Sequence, residues 1–169
     1  MRWLSWTRIW PRGPDVFLTG LVVSDDARPR MWVVLEPLVW EDAQFGRITV
    51  PVGFLTDFAS VPPIVRDIPT FDPNGASRKA AALHDWNYTW HGLDKDHADE
   101  LLRQSLLVSG ISRLTADVFY DAVQEFGLPA WNAHIGGPAQ DRFDTAENFH
   151  QWLASASPVF STTVPGVLI

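Results

Sequence analysis

The hydrophobic pattern of this 169-residue chain changes period partway along, from alternation in the first third to a helical repeat afterwards, and that change restricts the fold class. Residues 16–23, 30–36, 38–40 and 47–51 are rich in β-branched and aromatic side chains, each run bounded by Gly, Pro, Asp or Asn. They predict a small antiparallel sheet of three or four strands. A loop rich in Pro and Asp, residues 67–75, separates them from the helical part. Ser77 is placed to cap a helix that runs to about Trp90 and is stopped by Gly92. Asp94 caps a second helix ending at Gly110, and Ser112 a third ending at Gly127. On the third, Leu114, Val118, Ala122, Val123 and Phe126 form an apolar stripe that predicts packing against another element. A shorter fourth helix is expected over residues 144–154. Strands first and helices after make an α+β domain over residues 16–154, with three to four helices on one face of the sheet.

With 46% hydrophobic and 20% charged residues, a chain of this length can build one proper core but not two. Nine Trp and ten Phe are many for this length, and aromatic rings concentrate contact energy in cores and at interfaces, so an interaction protein is expected. The absence of cysteine excludes disulfides and thiolate metal sites together. A net charge of −7 argues against a nucleic-acid partner, because affinity for phosphate backbones comes from clustered Lys and Arg. No run approaches the ~20 apolar residues that span a bilayer. Pro11 interrupts the start before a signal-type run develops, so the chain is expected to be soluble and unprocessed.

The two ends do not fit the core pattern. In residues 1–15, Trp3, Trp6 and Trp10 stand at i, i+3 and i+7, one side of a short helical turn. Residues 155–169 are apolar and uncharged, broken by Pro158 and Pro165, which suits an extended arm carrying Phe160, Val164 and Leu168. Such ends either fold back onto their own domain or dock on neighbours. The six named side chains are the expected interface.

Polar chemistry gathers at two junctions. Asp57 and Ser60 follow the last strand, where the Asp57 carboxylate can accept backbone N–H bonds from residues 58–61. His84 and Asp85 lie in mid-helix. His84, Asn87, Tyr88 and His91 share a face by their spacing, while Asp85 points about 100° away. Burying such groups is costly unless they are paired, which directs them to Asp57, Ser60 or Asp99. Asp99 opens the second helix, near the positive end of its dipole and one turn from Arg103.

These residues support two readings. As a site, Asp57, Ser60, His84 and Asp85 are the catalytic candidates, and Asp57, His84, Asp85 and Asp99 the candidates for a divalent metal such as zinc, or for manganese or magnesium. As a scaffold, the same set is a buried polar network that pins the Asp57 loop to the helices and needs no cofactor, and this is the preferred reading. The dyad after Ala80-Ala81-Ala82-Leu83 is superficially similar to that of the HD phosphohydrolases, but no His precedes position 84 to complete their metal set. Ser60 lacks the Gly-x-Ser-x-Gly setting of a hydrolase nucleophile. His91, His97, His134 and His150 are expected to be ordinary surface or interface residues.

Four blocks occur in order: Val50-Pro51-x-Gly53-Phe54-x-Thr56-Asp57-x-Ala59-Ser60-Val61-Pro62; Ala80 to Tyr88 with Leu83-His84-Asp85; Ala98-Asp99; and Tyr120-x-Ala122-Val123-x-x-x-Gly127. Together they resemble a family of uncharacterised proteins carried by tailed bacteriophages and prophages. The resemblance assigns Asp57, Ser60, His84, Asp85, Tyr88 and Asp99 to the family's polar signature. The chain departs from it at Pro63, where a basic residue more often stands, and at Trp86. The family context implies a virion component of the tail tip, baseplate or fibre-attachment region, made in the host bacterial cytoplasm and assembled with other phage tail proteins or with copies of itself. The alternative is a small metal-dependent hydrolase acting on cell wall or phosphoester during entry or lysis, with His84 and acidic partners as ligands and Asp85 or Asp57 as general base.

Overall fold

The computed structural model describes residues 15–58 and 75–156. The first apolar run does not form one strand. It is divided between β1 (Val16–Phe17) and β2 (Val23–Asp25), with Gly20 in the break, and the two halves join different sheets. The remaining strands are β3 (Trp32–Val34), β4 (Leu38–Asp42), β5 (Gly46–Val50) and β6 (Leu55–Thr56). All pairings are antiparallel, in two three-stranded sheets ordered β1-β4-β5 and β2-β3-β6. In β4 and β5 the alternation is read directly as burial. Leu38 and Trp40 face Val50 and Ile48 across the ladder, and all four are buried. The two-residue β6 was not legible as a strand, yet its pairing of Leu55 with Val33 and Thr56 with Trp32 fixes where the Thr56-Asp57 step lies.

The helices are α1 (Arg78–Trp90), α2 (Lys95–Val108), α3 (Arg113–Phe126), the short α4 (Leu128–Asn132) and α5 (Ala146–Ser155), with a 3-10 turn at Gln140–Arg142. Asp94 and Ser112 cap as their sequence positions predict, accepting from the backbone N–H of His97 and Thr115. Ser77 makes no side-chain cap bond. The left-handed residue that ends α1 is His91, at φ +56°, not Gly92, and its N–H closes on the Asn87 carbonyl.

The central element is α1, between the sheet side and the other helices. Ala82, Leu83 and Trp86 pack with Val34, Leu38, Trp40, Ile48, Val50 and Phe54, and Phe143 closes this cluster. Ala80 belongs to a second cluster with Leu102, Leu106, Ala116, Phe119 and Val123. On α3 the buried face is Ala116, Phe119, Ala122 and Val123, whereas Leu114, Val118 and Phe126 of the expected stripe are exposed. The large Phe119 ring turns the helix toward the i, i+3, i+7 face it shares with Ala116 and Val123.

Gly53 explains part of the first sequence block. Its φ is +80°, and a Cβ there would stand 2.5 Å from Asp144 Oδ1 and 2.6 Å from Asn148. Only a bare backbone lets the start of α5 approach, with Gly53 O accepting from Asp144 N and Phe54 bridging to Phe143. Trp3, Trp6, Trp10, Phe160, Val164, Leu168 and Ser60 lie outside the described residues. Among the described residues no helix is long and apolar enough to cross a membrane.

Candidate functional site

Because α1 is covered on both sides, every side chain from Ala82 to Thr89 is buried, six polar or aromatic-polar ones among them. Each must find a partner inside the protein. Two bond locally, one turn back: Thr89 Oγ1 donates to Asp85 O at 2.7 Å and Asn87 Nδ2 to Leu83 O at 2.8 Å, although the buried Asn87 Oδ1 is left unbonded among the described residues. His84, Tyr88 and Asp85 reach out in two directions.

Toward α2 and α3, His84 and Tyr88 converge on Asp99, whose carboxylate is wholly buried. Oδ1 lies 3.1 Å from His84 Nε2 and accepts from the Tyr88 hydroxyl at 2.5 Å. Oδ2 accepts from Lys95 Nζ at 2.6 Å and from Gln124 Nε2 at 2.7 Å. Lys95 Nζ also donates to Val123 O at 2.9 Å, so one ammonium ties α2 to α3. Burial pulls the Asp99 carboxyl upward, but the bonds from His84, Lys95 and Tyr88 outweigh it and hold the group below the usual carboxylate range. The Tyr88 phenol moves the other way. Burial, then its bond to the Asp99 charge, raises it well above the ordinary tyrosine value.

Toward the sheet, Asp85 Oδ2 accepts from the Thr56 hydroxyl at 2.5 Å, and Thr56 Oγ1 in turn accepts from Phe58 N at 3.1 Å. This chain holds Phe58 at φ +54°, a conformation that costs a bulky residue roughly 1–2 kcal/mol. Packing offsets that strain. The buried Phe58 ring lies 5.0 Å from Trp32 and 4.5 Å beneath the Arg78 guanidinium.

Between the two clasps is a cavity of about 10 Å³, bordered by His84, Asp85, Ser77 and the apolar Phe58, Leu102 and Phe119. It is at the lower limit for a single water. Of the sequence candidates, His84 and Asp99 therefore meet, Asp85 lies about 100° around α1 from His84 and bonds Thr56, and Asp57 is half-buried just past the end of β6. Asp99 does not pair with Arg103, which bonds to Asp117 and Glu100 instead, while the Lys95 ammonium takes the i−4 position beside Asp99. Among the described residues no three His, Asp or Glu side chains converge, and a cation at Asp99 would face the Lys95 ammonium.

Sequence reading missed Thr56, Lys95, Gln124 and Gly127 as members of this arrangement. Lys95 had a signal in its i, i+4 spacing to Asp99, but Arg103 has the same spacing. Gln124 had none. His91, expected at the surface or an interface, is half-buried and stacks on Trp131 at 3.8 Å, and burial lowers its pKa.

A family model described as protein of unknown function (DUF1353) matches residues 32–123, more than half of the chain. The chain belongs to the DUF1353 family. No curated protein and no solved structure matches it. The DUF1353 span runs from β3 into α3 and contains Thr56, His84, Asp85, Tyr88, Lys95 and Asp99, hence both clasps. Gln124 and Gly127 lie just beyond it.

Proposed function

We propose that this DUF1353 protein is a structural, non-catalytic component of a tailed-phage particle, a rigid module that makes its assembly contacts through its chain ends. The observation that carries this reading is the closure of the polar signature. Asp99 is buried with four donors on its two oxygens, and Asp85 is bonded back to the sheet, so these groups bind α1, α2, α3 and β6 together. A general base or metal ligand needs an open coordination or proton-transfer position beside a cavity that admits substrate. The cavity next to His84 is of water size.

The phage setting is supported by the four ordered sequence blocks and their resemblance to phage-borne proteins. The outward contacts are supported by the aromatic and β-branched anchors at the ends, with Phe160, Val164 and Leu168 on an uncharged C-terminal stretch. The test is incorporation. Particles assembled with protein lacking residues 158–169 are expected to lack it, while its melting transition stays that of the full chain. Normal incorporation of the shortened protein, or hydrolytic activity abolished by His84→Ala in a variant that still melts cooperatively, would overturn the reading.

A further inference from the structure

A groove of about 440 Å³ lies where β1 meets the start of α1 and the end of α2. Among the described residues it is bordered by Val16, Phe17, Ala76, Lys79, Val108 and Ser109. Its volume falls in the range of clefts that hold ligand-sized groups. The lining is mainly aliphatic and aromatic, and its one charge is already turned to a ring: Lys79 Nζ stands 5.1 Å from the Phe17 centroid. Val108, in the last turn of α2, remains 45% exposed. Such a surface fits an aromatic side chain, with apolar walls for the ring and an ammonium for its π face.

We propose that the groove is the seat of this chain's own N-terminal segment, with the Trp10 indole placed against Phe17, Lys79 and Val108. The argument is one of connection. Val16 borders the groove, and Trp10 precedes it by six residues, a reach of at most about 20 Å. The intervening Pro11-Arg12-Gly13-Pro14 has the residue types of a chain reversal, with Pro presetting φ and Gly free to take the left-handed region. A tether this short gives the segment an effective concentration of order millimolar at the groove, which a free partner does not reach. The inference narrows the reading above. It leaves the C-terminal stretch as the outward contact, and it is tested on purified protein, independently of any particle.

The probe is tryptic cleavage after Arg12 in the full-length chain. A seated segment opens only transiently, so cleavage there is slow. Val108→Glu places a carboxylate in the groove and Lys79→Glu removes the ammonium. Each is expected to speed cleavage at Arg12 by about tenfold, the factor that corresponds to ~1.4 kcal/mol of docking. Val108 is exposed and Lys79 half-buried, and unchanged melting of either variant shows that the module is intact. Leu114→Glu, at a 77% exposed site on α3, is expected to leave the rate as it was. Equal cleavage in the wild type and both groove variants would overturn the proposal. So would protection that grows with protein concentration, which would assign the groove to the segment of a second copy.

Discussion

The Tyr88 hydroxyl occupies the space that a side chain on residue 127 would fill: a Cβ built on Gly127 would stand 2.5 Å from Tyr88 Oη and would also crowd the Val123 carbonyl. Gly127 has an ordinary helical φ of −79°, so its role is to leave room, not to adopt an unusual conformation. The fourth sequence block thus serves the second, since the small residue that ends α3 lets the phenol on α1 reach Asp99.

Gly127→Ala is therefore expected to destabilise the protein by about 1–3 kcal/mol through overpacking alone. Tyr88→Phe removes one of the four donors to Asp99 and should cost about 1–3 kcal/mol by itself. Because the same hydroxyl is involved in both effects, the double variant should be more stable than the sum of the two losses allows. Denaturant unfolding of the four proteins measures the coupling. Strict additivity would show that the clash with the Val123 carbonyl carries the cost and the Tyr88 hydroxyl does not.

The Asp99 cluster should govern the response of stability to pH at both ends. In the folded protein the Asp99 carboxyl is held below its ordinary value of 3.8. Its contribution is then present above pH ~3.8 and is lost as pH falls through the lower folded value. The Tyr88 phenol is raised above 10.0, so its contribution is present below that pH and lost as pH rises beyond it, where the unfolded chain alone ionises. Asp99→Asn leaves the Lys95 ammonium without its counter-charge and should cost about 3 kcal/mol at neutral pH. Its deficit against the wild type should shrink on acidification below pH ~3.8, as the wild-type carboxyl loses its advantage. Tyr88→Phe should flatten the alkaline limb. Thermal unfolding of the three proteins across the pH range checks both signs.

Thr56 is the other clasp. Thr56→Val keeps the shape of the side chain but removes the donor to Asp85 and the acceptor for Phe58 N. Each buried hydrogen bond lost costs about 1–3 kcal/mol, so a total loss of about 2–6 kcal/mol is expected. The loss should be local first. Faster hydrogen exchange at the Phe58 amide than at amides of the β4–β5 ladder would identify it, and uniform change across both would argue for global destabilisation alone.

How much of this was legible follows from what each residue depends on. Asp94, Ser112 and Gly110 act through their own helix ends, so their positions could be read from local spacing. Val16 to Val23 could not, because whether a run continues as one strand or crosses between sheets depends on partners far away in sequence. The same holds for the site. That His84 and Tyr88 face one way and Asp85 another follows from 3.6 residues per turn. That Asp99 receives Lys95 and Gln124 instead of Arg103 depends on where α3 packs against α2. The stripe on α3 held at Ala122 and Val123 but not at Leu114, Val118 and Phe126, because it counted apolar positions without weighing the bulk of Phe119 against that of Leu114.

Metal removal separates the scaffold from the hydrolase more sharply than any single substitution. Both Asp99 oxygens already accept bonds, one from an ammonium at 2.6 Å, and a divalent ion there would have to displace Lys95 and lose its charge compensation. Asp85, about 100° around α1 from His84, is already bonded to Thr56. The purified protein is therefore expected to carry no stoichiometric zinc, manganese or magnesium by elemental analysis. Prolonged chelation should leave its melting midpoint unchanged, because an ion bound only to the folded state would raise that midpoint with concentration. A chelator-sensitive transition restored by one metal, and lost in His84→Ala, would mean that the donors around Asp99 rearrange to admit an ion. The polar signature would then have to be read as a coordination site.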